Sequence, residues 1–274
     1  MRKSLITTAV LGALAAPSFV FAADAAPAPD YTLSYNVGLY SQYIFRGLTQ
    51  SNHAPALQGG VDFTHSSGFY LGAWASSISW LTDPQTLSAD AKYMQSGGTV
   101  ETDWYGGYRY TFASGVGIDV GALQYYYPGH RNKALDKVNT TELYGALSYG
   151  WLQAKISGVV SDSAWGFGKV GYGPDSARGT YYAELNATVP IGDLVGGDVL
   201  SGVTGIAHIA RQEFAISQDV ASYTDYKLGL QKAFSNGVNV GGYWTYANGK
   251  DAGWTYDCKN IGDSTGTVYV QKTF

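Results

Sequence analysis

The chain has 274 residues, with 17 Lys+Arg against 21 Asp+Glu, only 14% charged side chains, and a heavy load of 36 Gly, 23 Tyr, 10 Phe and 7 Trp. The mild, dispersed negative charge excludes a nucleic-acid partner, which needs clustered positive charge. Cys258 is the one cysteine, which excludes an internal disulfide framework.

In chain order, Met1-Arg2-Lys3 forms a positive start, Leu5 to Ala16 is apolar, Pro17 breaks the run, and Val20-Phe21-Ala22 places small residues at a cleavage site. This pattern predicts a secretory signal peptide over residues 1–22, too short to be a membrane anchor. Removing it takes Arg2 and Lys3, leaving 15 basic side chains against 21 acidic ones. Residues 23–30 (ADAAPAPD) read as a flexible lead-in. The rest, residues 31–274, has no apolar run of about 18 residues, so no helical membrane span is expected.

Residues 31–274 are a recurrence of alternating segments, each of about ten residues, the length of a tilted membrane strand. They run over Thr32–Arg46, Pro55–Thr64, Phe69–Trp80, Glu101–Phe112, Val116–Tyr127, Val138–Tyr149, Leu152–Ser161, Thr180–Val189, Val199–Ala210, Tyr223–Phe234, Val238–Ala247 and Thr265–Phe274. In the first, Leu33, Tyr35, Val37 and Leu39 share one face. In the seventh, Leu152, Ala154, Ile156, Gly158 and Val160 do. Period two makes these the faces of a sheet, and almost no charge falls on the apolar side. Tight turns such as Ala113-Ser114-Gly115 and Ser235-Asn236-Gly237 alternate with longer polar links at 47–54, 81–100, 128–137, 162–179, 211–222 and 248–264. Short turns on one side and long loops on the other are the pattern of outer-membrane barrels. The fold class read here is all-β: a transmembrane antiparallel up-and-down β-barrel of about twelve strands, in the bacterial outer membrane, with both termini periplasmic. Its wall faces lipid, and that wall fits a monomer and a homo-oligomer alike. The last segment ends on Phe274, with Lys272 where an apolar residue is usual, and a lysine there can snorkel to the interface.

The stretches Tyr40-Ser-Gln-Tyr-Ile-Phe-Arg-Gly47, Pro55-Ala-Leu-Gln-Gly-Gly-Val-Asp-Phe63 and Ser67-Gly-Phe-Tyr-Leu-Gly-Ala-Trp74 resemble the opening hairpins of the TorF family of outer-membrane porins. The motif match lies within about residues 36–80, while length and hairpin rhythm agree over the whole mature chain. The resemblance implies pore formation in a Gram-negative outer membrane. It carries no catalytic or ligand residues across.

The parity opposite the apolar face assigns Arg46, Asp62, Arg109, Asp119, Glu142, Lys155, Glu184, His208, Asp225 and Lys227 to the lumen. These are the expected pore-lining residues of a channel for passive diffusion of small solutes. Their mixed signs predict no strong ion selectivity. Tyr40, Tyr70, Trp74, Tyr126 and Tyr243 are expected to narrow the bore. Arg46 either lines a constriction or pairs with Asp62 or Glu142 across the wall. Two other readings stand beside the channel. A closed structural or adhesive barrel would use the loop aromatics Trp165, Phe167, Tyr172, Trp254 and Tyr256 to bind a partner, or fold them inward as a plug. An outer-membrane hydrolase would need a nucleophile–base pair, and the loop residues His53, His65, His130, Asp83, Asp136, Asp162 and Asp175 offer only scattered material. No ligand spacing for a metal and no cofactor motif is found, so no enzyme activity, metal or cofactor is expected.

Overall fold

The computed structural model describes residues 29–83, 98–129, 138–168, 176–216, 221–256 and 258–274. The expected signal peptide and most of the lead-in lie outside the described residues.

The alternating segments form β1 (Tyr31–Tyr40), β2 (Ala56–His65), β3 (Phe69–Ser77), β4 (Val100–Thr111), β5 (Val116–Tyr126), β6 (Thr140–Tyr149), β7 (Leu152–Val159), β8 (Tyr181–Val189), β9 (Val203–Glu213), β10 (Tyr223–Ala233), β11 (Val238–Ala247) and β12 (Thr265–Thr273). They make one closed antiparallel barrel in which each strand pairs with its chain neighbours and β12 returns to β1. Val37 opposes Lys272 and Tyr40 opposes Tyr269 at the closure, and Phe274 N–H donates to the Tyr35 carbonyl at 2.9 Å. Closure leaves no strand edge unpaired. No helix among the described residues is long and apolar enough to cross a membrane.

The exposed side chains of the wall are the apolar ones. Leu57, Leu71, Leu147, Leu185, Leu228, Leu230 and Val268 all stand outward, with Leu71 65% exposed, and Trp104, Tyr149 and Trp151 join them. Such a surface would be an aggregation liability in water and is the expected surface in hydrocarbon. Lys272 at the end of β12 reaches the Asn236 carbonyl in the β10–β11 turn and lies over the Phe274 ring at 5.4 Å, so its charge leaves the apolar band. That turn needs Gly237, whose φ is +82° and whose added Cβ would stand 2.5 Å from the Thr273 carbonyl oxygen.

Inward-facing glycines carry a second role. Gly72 opposes Tyr105, and Gly241 opposes Tyr269. A Cβ at either would lie 2.4 to 2.6 Å from the ring. The missing side chain lets each tyrosine lie flat along the inner wall and fill the bore from the side.

Some strand bounds differ from expectation. β1 stops at Tyr40 rather than running to Arg46, because residues 41–55 turn into the barrel. β3 ends at Ser77, before Trp80. β9 starts at Val203, since Ile191–Val195 forms one helical turn and Gly202 closes the connection against the Ala233 carbonyl. The tight turns and the described termini lie at one end of the barrel, and the described parts of the longer links at the other.

The loop-side mouth is filled. Tyr43, Leu48, Trp80, Leu81, Trp165, Phe167, Phe214, Trp254, Tyr256 and Ile261 form one buried apolar cluster across it. Trp165, Phe167, Trp254 and Tyr256 are therefore packed inward and not displayed, which corrects the surface half of the adhesive reading. Tyr172 lies outside the described residues.

Candidate functional site: a charged chamber beneath an inward hairpin

The plug is led by a miniature hairpin. Ile44–Phe45 pairs with Leu48–Thr49, Ile44 opposing Thr49 and Phe45 opposing Leu48. The turn is Arg46-Gly47, with φ of +47° and +80°. Two successive positive φ values give the type I′ geometry that joins strands tightly. Gly47 is needed twice over, because a Cβ there would also stand 2.5 Å from the Asp225 Cβ on the far wall. The hairpin is tethered at its base. Gln42 Nε2 donates to Thr265 Oγ1 (2.8 Å), Thr49 N–H to the Ile261 carbonyl (2.9 Å), and Tyr43 OH to Glu101 Oε1 (2.6 Å).

Its tip delivers the Arg46 guanidinium into the barrel. Nη1 and Nη2 each donate to one oxygen of Glu142, at 2.9 and 2.7 Å, and Nη1 also donates to Gln212 Oε1 at 2.9 Å. The cation lies 4.2 Å over the Tyr182 ring and 5.1 Å over Trp165. Both charged side chains of the Arg46–Glu142 pair are buried. A fork bonded to both carboxylate oxygens is the strong form of this pair. Of the two alternatives for Arg46, the structure pairs it with Glu142. Asp62 instead accepts from Tyr105 OH at 2.5 Å.

Beneath the tip lies a cavity of about 100 Å³. Arg46, Arg109, Asp119, Lys155, Glu184, His208, Asp225 and Lys227 are all on its wall, and Glu142 joins through Arg46. Arg109 pairs with Asp119 (3.4 Å) over the Tyr70 ring (4.3 Å), and Tyr70 OH bridges Asp119 and Tyr144. Lys155 Nζ is 3.8 Å from Glu184 and 4.7 Å over the Tyr144 ring. His208 sets Nε2 3.0 Å from Asp225 and Nδ1 2.6 Å from Asn186 Oδ1, while Tyr182 OH donates to Asp225 at 2.9 Å. Lys227 lies 4.9 Å over the Tyr243 ring. Most of the charges at this depth are paired or meet aromatic faces, as a low-dielectric interior demands.

Tyr70 and Trp74 line the chamber, and Tyr40 and Tyr243 pack on Tyr269 elsewhere on the inner wall, at 4.9 and 6.1 Å. Tyr126 is a correction. It shares the parity of Val116 and Val120 and stands 45% exposed on the outer wall, while its neighbour Tyr125 points in. Sequence reasoning passed over Glu101 and Asp103, both buried and inward. The signal was available, since they alternate with outward Trp104. Tyr43 carried no such signal, because it faces the lumen from a loop.

For the hydrolase reading, the described histidines are dispersed. His65 Nδ1 meets Ser67 Oγ at 2.7 Å inside an exposed turn, while His208 meets Asn186, Asp225 and Tyr182 in the lumen. His130, Asp136 and Asp175 lie outside the described residues. Among those described, no group of three or more His, Cys, Asp and Glu is arranged to hold a metal ion.

A family model described as "Bacterial protein of unknown function (Gcw_chp)" matches residues 24–274. Comparison with curated proteins finds no match. Among solved structures, the chain is similar to the NanC porin, with a TM-score of 0.52 and 12% identity over 89% of this chain and 99% of that one. It is also similar to the KdgM porin in complex with disordered oligogalacturonate, with a TM-score of 0.48 and 10% identity over 88% and 98%. At these identities the likeness to NanC bears on the fold alone.

Proposed function

The chain belongs to the Gcw_chp family of bacterial proteins of unknown function, and we propose that it is a narrow channel of the outer membrane for small solutes, constricted at its loop side by the Arg46 hairpin. The observation that carries this reading is the polar chamber inside an apolar-walled barrel. Buried charges cost free energy unless hydrated or paired, and a chamber lined by so many of them supports a polar route through the barrel. Export through a signal peptide cleaved after Ala22 and periplasmic termini complete the proposal. The resemblance to TorF porins supports it. Among the described residues no set is arranged as a hydrolase would need, and the reading proposed is a channel without enzyme activity.

The test is planar-bilayer recording of the refolded mature protein beside Arg46→Ala. Small, steady conductance steps are expected from the wild type, and larger ones from Arg46→Ala, whose tip loses its anchor on Glu142. A correctly folded barrel that is silent in both forms would instead support the closed barrel. That second reading has its own observation, the continuous aromatic cluster over the mouth.

A further inference from the structure

The charges on the chamber wall do not all cancel. Arg46 is taken by Glu142, Arg109 by Asp119 and Lys155 by Glu184, and His208 is hydrogen-bonded to Asp225. Two ionisable groups on the same wall make no such direct contact: the Asp103 carboxyl and the Lys227 ammonium. They do not pair with each other. Among the described residues Lys227 has no hydrogen bond and no ion pair within 4 Å; it lies over the Tyr243 ring, and Asp225 and Glu184 attract it from farther off. Asp103 is 6% exposed, and its Oδ1 is buried with no hydrogen-bond partner. Its acidic neighbours are already served, Glu101 by Tyr43 OH and Glu142 by Arg46. A buried carboxylate without a donor is costly and calls for a proton or a cation.

The surroundings of Asp103 favour an organic cation. In register it is flanked by Trp74 on β3 and Tyr125 on β5. Tyr43 packs on Trp74 at 5.3 Å, and Phe45 packs on Tyr125 at 5.5 Å. A carboxylate among aromatic rings is how proteins hold an ammonium group, by charge-assisted hydrogen bonds and cation–π attraction. Lys227 supplies the complementary cation for a carboxylate elsewhere on the wall.

We propose that the chamber binds a small zwitterion, its ammonium group at Asp103 and its carboxylate at Lys227. The cavity of about 100 Å³ limits the solute to one smaller than benzene, which fits a cavity of about 150 Å³, so the class is a compact amino acid. The proposal deepens the channel reading and rests on it for the solute's route in.

Four probes with one heavy-atom skeleton separate the charges: alanine, its cationic amide, the anion lactate and neutral lactamide. Binding to the refolded mature protein is measured by equilibrium dialysis, and flux of the same probes in proteoliposomes. Alanine is expected to bind best and lactamide worst. Asp103→Asn weakens alanine and alaninamide about tenfold, the worth of one charge-assisted contact, and spares lactate. Lys227→Gln weakens alanine and lactate and spares alaninamide. The spared probe shows that each variant still holds a folded chamber. Equal binding of all four probes, or a variant that weakens all four alike, overturns the zwitterion site. Selective binding without flux of any probe keeps the site and defeats the channel. Unselective flux of all four keeps the channel and defeats the site.

Discussion

The outer wall and the inward hairpin use the same kinds of residue under opposite rules. On the wall, Leu71, Leu185 and Leu230 are apolar because they face lipid, and any backbone partner is a neighbouring strand. In the hairpin, Ile44, Phe45 and Leu48 are apolar because they pack inside the barrel, and the polar tip Arg46-Gly47 goes deepest. One region turns its apolar side chains to the outside of the barrel, where hydrocarbon is the environment that suits them. The other behaves like the core of a soluble domain, with a charged fork held by a buried carboxylate. The contrast shows that this barrel meets two environments, and that its polar interior lies beneath a plug packed like a protein core.

Removing the Arg46 side chain should produce the largest effect on that contrast. Arg46→Ala leaves Glu142 buried without its cation, a change that costs about 3–5 kcal/mol in comparable buried pairs. Urea-dependent refolding into vesicles reads it, and Arg46→Lys, which keeps charge but loses the fork, should fall between. If Arg46→Ala refolds with wild-type stability, the hairpin is not held by its tip. Leu185→Lys tests the other region. A lysine at mid-height on the lipid face costs about 2–4 kcal/mol. The same titration should show that loss without any change in conductance, whereas Arg46→Ala changes both.

Much of the wall is legible in the order of residues. Alternation alone puts Leu33, Val37 and Ile156 outside and Asp119, Glu184 and Asp225 inside, because period two survives even where no single strand is strongly patterned. The hairpin is not legible. Ile44 and Phe45 continue the apolar character of β1, so the first segment reads straight through to Arg46. The tight turn lies concealed in Arg-Gly rather than the usual Asn-Gly, since arginine rarely takes the positive φ that Arg46 adopts here. Tyr126 fails for a different reason: two adjacent tyrosines at the end of β5 leave parity, not residue type, to decide which faces in. Asp103 has the right parity, but that it is left without a partner depends on Glu101, Glu142 and Arg46, which come from β4, β6 and a loop. No spacing in one strand encodes that.

A smaller effect probes the packing between the two regions. Gly241→Val would press a side chain into the Tyr269 ring, where even a Cβ stands 2.6 Å away. Overpacking of this kind costs about 1–3 kcal/mol. It should shift Tyr269 off Tyr40 and change the aromatic lining of the bore, so conductance changes while the Arg46 anchor is intact. In the double variant with Arg46→Ala, the stability losses should add within about 0.5 kcal/mol if the plug and the Tyr40–Tyr269 wall are independent. Strong coupling would mean that the hairpin is braced by that wall as well as by Glu142.

The smallest effect is expected at the end of the chain. Lys272 breaks the apolar pattern of β12, yet its ammonium reaches the Asn236 carbonyl at the turn, out of the hydrocarbon, so the substitution Lys272→Ala should change refolding stability by no more than about 0.5 kcal/mol. Lys272→Asp keeps a charge on a stem too short to reach past the apolar band and should cost more than alanine does. If both variants fold like the wild type, the apolar band stops before Lys272 and the barrel sits higher in the membrane than the wall residues imply. A loss for aspartate alone fixes the lower rim of the lipid-facing band between Val270 and Phe274.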